Sequence, residues 1–425
     1  MPWESVIGLE VHVQLRTDSK IFSGASTAFG AKPNVQACEV DIALPGVLPV
    51  MNRTAALMAV RFGLATGATV NRISVFARKN YFYPDLPKGY QISQFYRPYA
   101  LGGAISFERE DATAGRLPLV RIHMEEDAGK TIHSADGTSR IDLNRCSSPL
   151  LEIVTEPLEM SGIEAASCVR SLRDLLRWVG VTDGDMEKGN LRCDVNVSVR
   201  PDASAELGTR TELKNLNSFV SIQRSVEVES KRQIEVLEKG GTIRQETRLW
   251  DQDLEVTEEM RSKEDSPDYR YFPEPDLPVI VIEQQDIDRE RQSLPELPAE
   301  RYRELVDDLG LDPKEASPIL ARRENCDFFF ALLEAGLSAA SASNWFRGEV
   351  LRHLNDRSER IDQYPLAAEA IASVVKAVEE DRISVGKGRE ILQQALDEQR
   401  DPSEILSESG EQISDHSALV GWVTS

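Results

Sequence analysis

Residues Ile7 to Leu15 alternate without a break. Ile7, Leu9, Val11, Val13 and Leu15 are apolar, and Gly8, Glu10, His12 and Gln14 separate them. Successive side chains of a strand point to opposite faces, so this period predicts a strand with one buried and one polar face. The habit returns downstream. Val120, Ile122 and Met124 alternate with Arg121, His123 and Glu125, and Ile141 and Leu143 with Arg140, Asp142 and Asn144. Leu151, Ile153 and Thr155 alternate with Glu152, Val154 and Glu156, where Val154 breaks the rule. Leu191, Cys193, Val195, Val197 and Val199 alternate with Arg192, Asp194, Asn196, Ser198 and Arg200, and Arg210, Glu212 and Lys214 share one side of a further strand. From about residue 295 the period becomes helical. Leu366, Ala370, Ile371, Val374 and Val378 recur at helix spacing behind Pro365, a helix-start residue, and 384–396 and 415–423 read the same way.

The change of period coincides with a charged run over 286–291 and the linker Leu294-Pro295-Glu296-Leu297-Pro298. The expected organisation is therefore an α+β region over 1–292, a helical region over 293–360 and a second helical region over 361–425. The polar stretch from Asp356 to Tyr364 separates the last two. An antiparallel sheet commonly leaves one face in water, which accounts for each amphipathic strand singly. It accounts less well for polar faces that favour Glu, Asp, Asn, His and Arg. A concave sheet whose polar face is a working surface fits that bias.

Glu10 and His12 project in parallel from such a face, as a shared metal or phosphate site needs. His123, Glu125, Glu126 and Asp127 form a second acidic cluster. Mg²⁺ takes oxygen ligands and keeps waters, so a few carboxylates facing the phosphates of a nucleotide suffice. The bland reading of the run is a solvated turn, since Ala128-Gly129-Lys130 follows. The block from Arg78 to Tyr90 sets Arg78, Lys79 and Asn80 beside aromatics and two prolines, a composition that cradles phosphate, stacks a base or simply makes a rigid loop. Asp185 to Asn190 runs into the Leu191 strand, and Tyr269 to Asp276 is a second aromatic, acidic loop.

The net charge of −22 argues against a uniformly basic nucleic-acid surface and leaves room for a local RNA patch. Five dispersed cysteines with no C-x-x-C pair point to a reducing compartment and a cytoplasmic protein. No apolar run of membrane-spanning length is present. The sequence holds no P-loop, no G-x-G-x-x-G after a strand, no G-x-S-x-G and no Cys/His arrangement for acyl transfer. ATP, if used, is not held in the P-loop manner, and no nucleophile for releasing ammonia from an amide is evident.

Several long blocks occur in a characteristic order. They include Gly8-Leu9-Glu10-Val11-His12, Leu44 to Asn52, Arg78 to Tyr90, His123 to Lys130, Asp142 to Arg145, Leu151 to Pro157, Met186 to Arg200, Glu212 to Phe219 and Asp268 to Pro275. Together they resemble the B subunit of the bacterial glutamyl/aspartyl-tRNA amidotransferases, over essentially the whole chain. The resemblance implies a glutamine-synthetase-like cradle with a largely antiparallel sheet, then helices ending in a YqeY-like tail. It implies a heterotrimer with a glutaminase (the A subunit) and a small C subunit. It also implies ATP-dependent phosphorylation of the side-chain carboxylate of Glu on tRNA(Gln) or Asp on tRNA(Asn), followed by displacement of phosphate by ammonia.

On that reading Glu10, His12, Glu125 and Glu152 serve the Mg²⁺ and phosphate site, with Glu126 beside them. Lys79, Arg192 and Lys214 neutralise phosphate charge, and Asn80, Asp194 and Glu212 join them at the ATP site. Two departures stand out. Many members carry paired cysteines that form a zinc knuckle near positions 23 to 41, where this chain has Cys38 alone, so no structural zinc is expected. Members also usually continue past Ser425, so the tail is expected to be truncated and tRNA binding weakened. Competing readings are a non-catalytic tRNA-docking scaffold and a stand-alone metal-dependent phosphohydrolase.

Overall fold

The computed structural model describes residues 3–134, 136–262 and 268–409. The chain divides into two compact units, Met1–Leu297 and Pro298–Ser425.

The first unit is built on an 11-stranded sheet whose centre is the opening strand, Glu4–Gln14. That strand lies antiparallel between Pro149–Thr155 and Leu191–Arg200. Beyond Pro149–Thr155 comes Ala114–Glu126, and beyond Leu191–Arg200 comes Thr211–Leu216, both antiparallel. Glu246–Asp251 then adds in parallel to Thr211–Leu216, and Val256–Ser262 closes that edge. Ile7, Leu9, Val11 and Val13 are all at most 1% exposed, as the alternation requires. Burying each contributes roughly 2 kcal/mol, so the register of this strand is strongly fixed.

Two helices, Gly162–Trp178 and Phe219–Glu238, bring the apolar side of the sheet its cover. The first starts at a capping box made by Ser161 and Glu164. Gly162 allows the two helices to touch, because a Cβ there would lie 2.4 Å from the carbonyl oxygen of Gln223. In the second helix Gln233 donates from Nε2 to the carbonyl of Val197 at 3.1 Å, tying helix to sheet.

Arg78, Lys79 and Asn80 end the strand Ile73–Asn80, which pairs with Tyr90–Arg97 as a hairpin. The alternating segment around Ile141 forms a separate two-stranded ribbon, Lys130–His133 with Ser139–Asp142, and does not extend the central sheet. Asn34 and Asn144 stitch that ribbon to the loop over 30–37, Asn34 donating to the Ile141 carbonyl and Asn144 to that of Lys32. In the region around Cys38, Lys20 and Asp41 form an ion pair of 3.2 Å with both side chains fully buried. Ser23 Oγ and the Cys38 N–H also donate to the Asp41 carboxylate, at 2.9 Å each.

The second unit is helical throughout its described residues. Its core includes Leu305, Ile319, Phe329, Leu332, Phe346, Val350, Ile371, Val374 and Ile391. The apolar repeat after Pro365 becomes the helix Ala368–Glu379, which begins later than the proline suggests, with Ala367 as an N-cap that supplies no side-chain hydrogen bond. Ser384 caps Val385–Glu398 by accepting from the Lys387 N–H. The helix expected over 415–423 lies outside the described residues.

Candidate functional site

Strand pairing lines up the polar positions in rows. His12 faces Glu152 on one side and Arg192 on the other, and Glu152 in turn faces His123. Directly opposed residues lie about 5 Å apart at Cα, so Arg192, His12, Glu152 and His123 form one row across four strands. The next row on the same face is Asp194, Glu10, Val154 and Arg121. Glu125 completes the arrangement, two residues beyond His123 and so on the same face of its strand.

The side chains of these rows converge. Nε2 of His12 lies 3.4 Å from Glu125 Oε1, 3.4 Å from Glu152 Oε2 and 3.9 Å from Glu10 Oε1. Nε2 of His123 lies 2.9 Å from Glu152 Oε2. Ligand atoms of Glu10, His12 and Glu152 all fall within 4.8 Å of one another, as do those of His123, Glu125 and Glu152. Burial alone would lower the His12 pKa. The hydrogen bond to Glu152 and the charges of Glu125, Glu152 and Glu10 outweigh it and raise the value to about 9. Burial, and after it the charge of Glu152, push Glu10 above its ordinary value. Glu152 is held well below its own: burial opposes this, but His123 and His12 on either side prevail.

Cations surround the cluster. Lys79 Nζ sits 5.0 Å from the centre of the Tyr269 ring. Burial opposes its charge, yet Glu125 and Glu152 raise its pKa. Arg192 pairs with Asp127 at 2.9 Å. Lys214 bridges Asp194 and Glu212. Asn80 commits its side-chain amide to the carbonyls of Tyr269 and Arg270, which joins the end of its strand to the aromatic loop. Glu126 points away from Glu125, as neighbours in a strand must. Its carboxylate accepts from Lys88 at 2.5 Å, from Ser147 at 2.8 Å and from the Ile92 N–H at 2.9 Å.

Two cavities flank the cluster along the opening strand. The larger, about 840 Å³, is lined by Gln14 of that strand, by Arg192 and Asp194 of the neighbouring strand, and by Lys130, Arg145 and Lys188. The smaller, about 530 Å³, reaches past Glu10 to Gly8 and Val6 and is lined also by Arg121, Arg210 and Glu212.

A family model described as the GatB/GatE catalytic domain matches residues 5–288, and a second, described as the GatB domain, matches residues 327–425. The chain belongs to the GatB family. It is 47% identical to the B subunit of an aspartyl/glutamyl-tRNA(Asn/Gln) amidotransferase from Halorhodospira halophila, over 100% of this chain and 89% of the relative. It is 50% identical to the protein of that name from Bordetella pertussis, over 99% of this chain and 89% of the relative. The catalytic-domain match spans every residue of both rows. The sequence placed Asp127 only in the acidic run and gave Arg121 no role. Asp127 is the partner of Arg192 from a distant strand end, which no local period reveals. Arg121 shares the alternating face of His123, and that signal was legible.

Proposed function

We propose that this chain is the B subunit of a tRNA-dependent amidotransferase and carries the step that phosphorylates the side-chain carboxylate of Glu or Asp misacylated onto tRNA(Gln) or tRNA(Asn). One observation carries the reading: the carboxylates of Glu10, Glu125 and Glu152 converge on His12, and a cavity opens at Glu10. Three carboxylates share one imidazole here, and this oxygen-rich donor set suits Mg²⁺. Glu10, His12, Glu125 and Glu152 would hold the ion. When bound, Mg²⁺ supplies charge neutralisation to the transferring phosphoryl group.

The larger cavity suits ATP, with Lys130, Arg145 and Lys188 on its walls and Arg192 at the edge nearest the cluster. The smaller cavity suits the aminoacyl end of the tRNA. Placing donor and acceptor at opposite ends of the cluster meets the in-line demand of phosphoryl transfer. An oxygen of the aminoacyl carboxylate attacks the γ-phosphorus, and the bond to the ADP oxygen breaks. Lys79, Arg192 and Lys214 offset the charge that develops. Ammonia then adds to the acyl carbon, phosphate leaves, and loss of a proton yields the amide. This chain has no motif for releasing ammonia, so the glutaminase of the complex supplies it, with the small C subunit completing the heterotrimer. The reading places the protein in the cytoplasm. Among the described residues no helix is long and apolar enough to cross a membrane.

The test is reconstitution with the glutaminase and the small C subunit, using glutamine, ATP and each misacylated tRNA. Amidation should require ATP and Mg²⁺ and should be lost in Glu10→Ala and Glu125→Ala. Unchanged amidation in either variant would sink the assignment.

A further inference from the structure

The smaller cavity contains a cation with nothing to hold. Arg121 lies on the polar face of its strand, two residues from His123, and lines this cavity beside Glu10. Its cross-strand neighbours are Val154 and Leu101, neither of which has a side chain that accepts a hydrogen bond. Its Nε is buried without a hydrogen-bond partner, and the Arg121 side chain forms no hydrogen bond or ion pair with any described residue. Other arginines of the same sheet behave differently: Arg192 holds Asp127, Arg200 holds Glu4 and Arg248 holds Glu246.

Buried guanidinium nitrogens are normally paired, because losing water without a replacement acceptor is costly. The group therefore waits for an anion that comes with a ligand. A guanidinium presents parallel N–H donors that match the two oxygens of a carboxylate. The cavity around it ends at the carboxylate cluster, so an anion there sits next to the site of phosphoryl transfer.

We propose that Arg121 grips the side-chain carboxylate of the aminoacyl ester, the phosphoryl acceptor, and holds it against the cluster. This rests on the proposed function above. It assigns Arg121 to substrate binding and makes the smaller cavity the acceptor site. Because the α-carboxyl of the amino acid is esterified to the tRNA, the side-chain carboxylate is the one anionic group of the aminoacyl moiety. Arg121 thereby distinguishes Glu and Asp esters from esters of uncharged amino acids.

The test uses the reconstituted complex with Arg121→Met and Arg121→Lys. In Arg121→Met the KM for misacylated tRNA should rise about tenfold or more. The KM for ATP and the affinity for uncharged tRNA should stay within about twofold, a margin well inside one hydrogen bond. Arg121→Lys keeps the charge but loses the fork, so its KM should fall between wild type and Arg121→Met. An unchanged KM for misacylated tRNA overturns the proposal. So does an equal loss of affinity for charged and uncharged tRNA, which would assign Arg121 to a backbone phosphate. A rise confined to the KM for ATP overturns it by assigning the cavity to the nucleotide. A wild-type complex without ATP-dependent amidation would overturn the functional reading and this proposal together. An active wild type with unaltered Arg121→Met kinetics would remove this proposal alone.

Discussion

Lys20→Met should destabilise the first unit by about 3 kcal/mol. Both partners of the Lys20–Asp41 pair are fully buried, 3.2 Å apart. Met keeps most of the lysine stem and its packing, so the loss is electrostatic. Removing one partner of a buried pair leaves an uncompensated charge and typically costs about 3–5 kcal/mol. The lower end applies here, because Asp41 still accepts from Ser23 Oγ and the Cys38 N–H. Adding Asp41→Asn removes the stranded charge and keeps an oxygen for those donors, so the double variant should recover to within about 1.5 kcal/mol of wild type, the scale of one hydrogen bond. Urea unfolding followed by fluorescence reads this directly, since Trp178 and Trp250 are buried in the same unit. The two units need not melt together, so the transition of those tryptophans is the one to compare. A Lys20→Met chain as stable as wild type, or a double variant less stable than the single, would refute the reasoning. The charge pair ties together the two ends of the loop between its partners.

Other consequences follow from the same geometry. Glu152→Gln, which removes the carboxylate between His12 and His123, should lower tRNA-dependent ATP hydrolysis at least about a hundredfold and raise the Mg²⁺ needed for half-maximal rate, measured by Mg²⁺ titration. Asn52→Ala should cost about 2 kcal/mol in urea unfolding. Its Oδ1 caps the helix Arg53–Ala65, and its Nδ2 donates to the Ser19 and Lys20 carbonyls. Glu229 is buried and accepts from Arg232 at 2.7 and 2.8 Å, from Gln233 at 2.9 Å and from Thr257 at 3.0 Å. Burial opposes its charge, but these donors hold its pKa below the ordinary 4.5. A depressed folded pKa stabilises above the unfolded value and loses that contribution as pH falls through the folded one. The stability gap between wild type and Glu229→Gln should therefore be widest at neutral pH and shrink below about pH 4.5, as thermal unfolding across that range would show.

The alternating segments around Glu10, His123, Glu152 and Arg192 made the central strands legible, because a period of two fixes both the strand and the face each residue occupies. It also separates Glu125 from Glu126, one turned to the cluster and the other buried with Lys88. Alternation could not tell which segments share a sheet. The Ile141 segment has the same habit as the others yet forms its own ribbon, because pairing depends on the turn that closes it. Long-range partners were equally hidden. Nothing near Lys20 announces Asp41, and nothing near Arg192 announces Asp127. Arg121 carried a visible signal, its place on the polar face, but only the burial of its Nε without a partner sets it apart from a solvated arginine. In the second unit, Pro365 suggested where a helix begins, but the helix starts at Ala368, after a 3₁₀ turn at Ile361–Gln363.

The account stands on this chain performing phosphoryl transfer to the aminoacyl carboxylate. The most direct measurement uses the reconstituted complex with misacylated tRNA, Mg²⁺ and ATP labelled in its γ-phosphate, without glutamine. The account predicts label carried on the aminoacyl group and ADP formed in step with it, both lost in Glu125→Ala. Label recovered only as free phosphate, at a rate indifferent to the aminoacyl group and to Glu125, would contradict it.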